Sequence, residues 1–302
     1  QRSMRLVVLG GGGFLGSHAV ARLRSEGHEV MCVVRRPSGD AYERICDLFD
    51  ADAPLEKLLE GADACLHLAG DLVPGSAEIA GWPGYLRNVQ LASRLADACC
   101  AAGVRRLVFA SSGGTVYGAN VVGAREDMAC HPIGLYGAQK LASETLLRAR
   151  LIRTDCRLVV LRIGNPFGMG QESQRAHGVI GRIFSCMNDG GEFTVWGDGS
   201  QVRDYVHVWD VAYAFTRALA YDGALDLFNI GSGRGVSIDE LVRICTDVSG
   251  VVLPYACQSK AAYEVERISL DIGLAASELG WTPSLTLKEG LVQYFEQLME
   301  MK

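Results

Sequence analysis

The sequence predicts an α/β protein: a doubly wound parallel sheet joined to a smaller C-terminal α/β unit. Three observations carry this. Short apolar, β-branched runs recur at roughly 30-residue intervals with helical patterns between them. The runs are apolar on both faces, as burial between two helix layers requires. A glycine loop joins the first run to the first helical pattern.

The elements follow in order. Met4 to Leu9 reads as a buried strand, and Phe14 to Glu26 has helical spacing that Gly27-His28 ends. Strands follow at Glu29 to Val34, Asp63 to Leu68, Arg105 to Ala110 and Arg157 to Ile163, with helices at about 86–101 and 136–151. Beyond residue 165 the pieces shorten: strands at Phe193 to Trp196, Leu227 to Ile230 and Val251 to Tyr255, helices near 174–188, 209–221, 237–248 and 286–301. The expected division is 4–165 plus about 207–230 for the first domain, and 166–206 with 231–302 for the second. A cleft between them is the default ligand site.

Composition narrows the class. The 302 residues are 49% hydrophobic and 21% charged, unlike a disordered chain. A net charge of −6 argues against nucleic-acid binding by phosphate neutralisation. There is no run of 18 apolar residues, so no membrane helix is expected, and the early first strand argues against a signal peptide. Gln1-Arg2-Ser3 ahead of Met4 reads as a cloning remnant. The ten cysteines show no C-x-x-C and no zinc spacing; most lie in apolar runs, which suits core thiols in a reducing, cytoplasmic setting and no metal site. Glycine is in surplus: 36 against roughly 21 at average usage.

Part of that surplus is chemical. Gly10, Gly13 and Gly16 give G-x-x-G-x-x-G between strand and helix, with Phe14 and Leu15 opening the helix. This Rossmann-type arrangement brings backbone N–H groups and a positive helix end to a pyrophosphate. The second strand ends in Val34-Arg35-Arg36, with no acid for an adenosine ribose. Two guanidiniums suit a 2′-phosphate, which favours NADP(H) and leaves NAD(H) possible. Asp47, followed by Leu48, either accepts from the adenine amino group or is a surface turn acid.

Ser111-Ser112-Gly113-Gly114-Thr115-Val116-Tyr117-Gly118 and Tyr136-Gly137-Ala138-Gln139-Lys140 resemble motifs of the extended short-chain dehydrogenases/reductases acting on nucleotide sugars. Arg162 to Gly168, the pair Trp196 to Ser200 and Arg203 to Val208, Phe228 to Gly233, and Leu279 to Pro283 resemble further landmarks of that family, in order. The resemblance is to its UDP-hexose 4-epimerase and dTDP-4-keto-6-deoxyhexose reductase branches. It implies a cofactor edge that includes Leu68, Ala69 and Gly70, a nucleoside-diphosphate sugar (UDP- or dTDP-hexose) as substrate, and a homodimer built on the helices near 86–101 and 136–151.

Tyr136 and Lys140 share a helix face as i and i+4. A cation about 4 Å away is worth roughly 4 kcal/mol at an effective dielectric of 20, or about three pKa units. Lys140 is thus expected to draw Tyr136 toward neutrality for acid–base work, and by resemblance to bond the nicotinamide ribose. The family usually has a hydroxyl where this chain has Gly113. Thr115 is the expected replacement, on the argument that strand alternation puts it on the same face, with Ser112 the runner-up. By resemblance, Asn165, Val195, Trp196 and Arg203 belong to the substrate site, with Lys260 or Arg267 as a second diphosphate cation. His67 and His207, in apolar strands, read as core histidines, and Asn88 as structural. Three functions remain open: an NADPH-dependent 4-keto-hexose reductase, favoured by Arg35 and Arg36; an NAD-dependent 4-epimerase; and a non-catalytic dinucleotide-binding regulator. A 4,6-dehydratase fits less well, since Gly113-Gly114 offers no acid.

Overall fold

The structure is a computed structural model that describes residues 3–171, 178–259, 261–262 and 264–300. Its strands are β1 (Arg5–Leu9), β2 (Glu29–Val34), β3 (Glu43–Ile45), β4 (Ala64–His67), β5 (Arg106–Ser112), β6 (Asn120–Ala124), β7 (Arg157–Ile163), β8 (Asn165–Phe167), β9 (Phe193–Trp196), β10 (Val202–His207), β11 (Leu227–Ile230), β12 (Gly235–Ser237), β13 (Tyr255–Gln258) and β14 (Arg267–Leu270). Its helices are α1 (Phe14–Ser25), α2 (Leu55–Leu59), α3 (Pro74–Ala101), α4 (Gly113–Val116), α5 (Leu135–Leu151), α6 (Val179–Asp189), α7 (Val208–Ala220), α8 (Ile238–Ser249) and α9 (Leu287–Glu300), with a π-helical turn at Ala275–Leu279.

Seven strands form one sheet in the order β11-β7-β5-β4-β1-β2-β3, parallel throughout. The chain winds outward from β1 in one direction and from β4 in the other. The crevice beyond the carboxyl ends of β1 and β4 is therefore the place where such sheets bind ligands. Alternate residues of each strand feed two cores. Leu6, Val8, Leu66 and Val108 pack with α1 and α7 residues such as Leu23 and Phe215. Val7, Leu9, Cys65 and Leu107 pack with α3 and α5 residues such as Leu95 and Leu147. Each such burial contributes about 1.5–3 kcal/mol.

A second sheet runs β12-β10-β14-β6, with β8 paired to β10, and β9 pairs β13. Phe184, Phe193, Leu241 and Tyr294 close a third core beneath it. Several placements depart from the sequence reading, and of the expected helix near 174–188 residues 174–177 lie outside the described residues. Asn120–Ala124 lies within the expected first domain but pairs with β14 in the second sheet. Residues 251–254 are not strand; the strand begins at Tyr255, where pairing with Phe193 starts. Among the described residues no helix is long and apolar enough to cross a membrane.

Candidate active site

The loop after β1 turns back on itself. Gly10, at φ +85°, places its Cα so that a Cβ would stand 2.9 Å from the Ala69 backbone, and a Cβ on Gly16 would stand 2.0 Å from the Gly10 carbonyl oxygen. Glycine alone lets the start of α1 close on this loop. Gly13 caps α1 without a side-chain bond, and the first turn carries no acid. The opening N–H groups at Phe14, Leu15 and Gly16 thus end the helix as an anion site. Leu68, Ala69 and Gly70 leave β4 directly beside it. Arg35 and Arg36, just past β2, are exposed and have no partner among the described residues. The acids near them are engaged: Asp40 binds Arg24, and Glu43 accepts from the Ser38 N–H and hydroxyl. Asp47 accepts from the Phe49 N–H at 3.1 Å, and Leu48 is buried. The cradle fits a dinucleotide.

On the neighbouring strand, β5 stops at Ser112, and residues 113–116 make one helical turn. The strand-alternation argument for Thr115 therefore fails: Thr115 reaches the site as part of a helical turn that sets it over Ser112. Its hydroxyl donates to Ser112 Oγ at 2.9 Å, and both side chains line one cavity. Gly113 points elsewhere. A Cβ there would meet Leu270 Cδ1 at 2.7 Å and the Arg162 carbonyl at 2.9 Å, so no hydroxyl is accommodated at that position.

Tyr136 enters the same cavity from the first turn of α5. Gly137 makes this approach possible, since a Cβ there would come within 2.4 Å of the Thr115 carbonyl oxygen. Lys140 is buried one turn on. Its ammonium donates to the Ala110 carbonyl at 3.0 Å and stands 5.8 Å from the centre of the Tyr136 ring. Burial pushes Tyr136 up to about 12 and brings Lys140 down to about 8, the nearby Glu144 carboxylate opposing the latter. The expected depression of Tyr136 by Lys140 is thus absent from this arrangement: the ammonium is turned to Ala110, and desolvation governs the phenol. Beneath Lys140, Glu144 and Arg162 form a buried ion pair at 2.7 Å, with Ser111 donating to the same carboxylate.

The cavity, about 600 Å³, is also lined by Asn165, Trp196, Arg203 and Glu264. Burial lowers the Arg203 guanidinium pKa, while Glu264 and Tyr205 oppose the shift. Trp196 is 46% exposed at the rim. Val195, expected beside it through its backbone, turns its side chain into the third core. Arg267 opens β14 as an exposed residue and does not line the cavity; Lys260 lies outside the described residues. Pro74 and Gly75 form a wall that the sequence reading missed, although a proline at the first helical position was a visible signal. Glu264 gave no such signal. His67 and His207 are buried, and burial pushes them down to about 3 and about 4. Asn88 donates to Asp71 and to the Gly84 carbonyl, a structural role.

Comparison with known proteins bears on the family and the fold. The model of the NAD dependent epimerase/dehydratase family matches residues 6–231. A UDP-glucose 4-epimerase of Mycolicibacterium smegmatis is 33% identical over 97% of this chain and 98% of its own. Among solved structures, MoeE5 in complex with UDP-glucuronic acid and NAD superposes with a TM-score of 0.91 at 34% identity, covering 99% of this chain and 100% of that one. A UDP-glucose 4-epimerase of Thermotoga maritima with UDP-glucose gives 0.92 at 29% identity, covering 99% of each chain.

Proposed function

Because the chain belongs to the NAD dependent epimerase/dehydratase family, an extended short-chain dehydrogenase/reductase group of nucleotide-sugar enzymes, we propose that it is a 4-epimerase of a UDP-hexose. The observation that carries this reading is one cavity in which Tyr136 and the Ser112–Thr115 pair face Arg203. An acid–base group, a polarising hydroxyl and a diphosphate cation are what a nucleotide sugar needs there. The dinucleotide supplies a hydride acceptor and donor.

The chain's own residues handle the proton. Tyr136, as phenolate, takes the proton of the C4 hydroxyl as C4 is oxidised and returns it on re-reduction. Ser112 and Thr115 share one hydroxyl–hydroxyl bond, so one proton of the pair stays available for the sugar oxygen. Lys140 is the chain's cation for favouring the phenolate, and Glu144 favours its charged form. Arg203 holds the diphosphate, and Trp196 covers the base.

The relatives support the epimerase, and with it NAD(H) retained through the cycle, over the reductase. The reductase and the NADP(H) preference rest on Arg35 and Arg36, which are unpartnered beside an acid-free strand end. One experiment tests both points: the purified protein is denatured and the released nucleotide identified. Stoichiometric NAD supports the epimerase. An empty protein that binds NADPH tightly supports the reductase. The homodimer is proposed on the apolar groove along α3 and α5, lined by Val89, Ala138, Leu141, Ala142, Leu146 and Ala149.

A further inference from the structure

We propose that Glu78 is a positioning residue that clamps the catalytic helix to the substrate-side wall of the cavity; this rests on the reading of Tyr136 as the acid–base group. Its carboxylate accepts a 2.6 Å hydrogen bond from the backbone N–H of Leu135, the first residue of α5 and the neighbour of Tyr136. Gly134, the N-cap of α5, has no side chain to offer, so Glu78 supplies from another element the cap that the local sequence lacks.

The segment that carries Glu78 is built to hold it there. Pro74 and Gly75, at its start, are cavity wall. Ser76 closes the turn, accepting from the Val73 N–H and donating to its carbonyl. Gly81, at φ 55° and ψ −147°, breaks the helix after Ala80, so the first turns of α3 leave the axis of the rest. Asp71, bonded to Arg87 and Asn88, fixes the other end of the excursion to the straight part of α3. The excursion therefore touches the cavity at residues 74–75 and the head of α5 at residue 78. Sugar that seats against Pro74 and Gly75 bears, through Glu78, on the turn that aims Tyr136. Misplacement of a reacting group by about 1 Å can cost 100-fold in rate. The Glu78 bond is thus a kinetic contact although Glu78 does not itself touch the sugar.

The test compares Glu78→Ala with Glu78→Gln, which keeps a carbonyl acceptor, in the full-length protein. Two readouts are taken: steady-state turnover of UDP-glucose, and hydrogen exchange of the backbone amides at 135–137. Glu78→Ala is expected to lower kcat about tenfold or more while KM stays within about twofold, and to speed exchange at Leu135. Glu78→Gln is expected to restore both. Wild-type kcat in Glu78→Ala, or failure of Glu78→Gln to restore either readout, overturns the proposal. If the wild-type protein does not turn over the sugar nucleotide, the functional reading fails. Exchange at Leu135 then decides the clamp alone: faster in Glu78→Ala and restored in Glu78→Gln supports it, and unchanged overturns it.

Discussion

At the scale of residues, Tyr136 is caught between two demands. It must be half-buried to meet the sugar, and burial raises its pKa to about 12. Ionisation then depends on positive charge beside it. Lys140→Met should move the rising limb of the kcat/KM pH profile to higher pH, since losing a cation disfavours the phenolate; an unmoved limb would separate Lys140 from the proton step. The hydroxyl pair gives a second comparison. Ser112→Ala and Thr115→Val should each lower kcat, by about 100-fold, because the bonded pair presents one proton to the sugar oxygen. Wild-type turnover in either variant would remove that hydroxyl from the proton step. The two buried histidines act on stability instead. Their folded pKa values, about 3 and about 4, lie below the ordinary 6.5. The unfolded chain therefore binds protons that the folded one refuses, and stability falls as pH drops from about 6.5 toward 4. Each histidine costs about 1.4 kcal/mol per pH unit over that window. Urea titrations at several pH values should show this slope, and His67→Leu should flatten it.

At the scale of elements, legibility follows burial. The strands β1, β2, β4, β5 and β7 stood out because both faces are packed, which makes a continuous apolar run. β3 did not, because Glu43–Ile45 is a short polar edge strand with two exposed residues. The turn at 113–116 read as a continuing strand because Gly-Gly-Thr-Val carries no helix signal; packing against Leu270 and the carbonyl of Arg162 sets it. The first turns of α3 were hidden by Gly81 and Pro83, which look like loop. The site shows the same division. Tyr136, Lys140 and the glycine loop lie in compact motifs that local spacing reveals. Glu264 and Glu78 act across 57 residues or more of chain, and only tertiary contact places them. Among the glycines, Gly137 is the telling one. Gly137→Ala should push α5 from the Thr115 carbonyl, lowering kcat and costing about 1–3 kcal/mol of stability in urea titrations.

At the scale of the whole molecule, Asp204 joins the two sheets' loops: within β10, it accepts from the N–H groups of Ser232, Gly233 and Leu270. Arg203, its neighbour, faces the cavity. The pair Arg203-Asp204 thus divides into a cavity-facing cation and a structural anchor, held at the junction of the two sheets by the same strand. The glycine surplus divides likewise: Gly10 and Gly16 shape the dinucleotide cradle, whereas Gly113 serves packing. The proposed 4-epimerase requires that hydride leave C4 and return to it within one cavity. The direct measurement is turnover of UDP-glucose deuterated at C4, with no dinucleotide added, followed by NMR. The expected product is UDP-galactose that keeps deuterium at C4. Product that has lost the deuterium, or reaction only when NADPH is supplied and consumed with a 4-keto sugar, would contradict the proposed 4-epimerase.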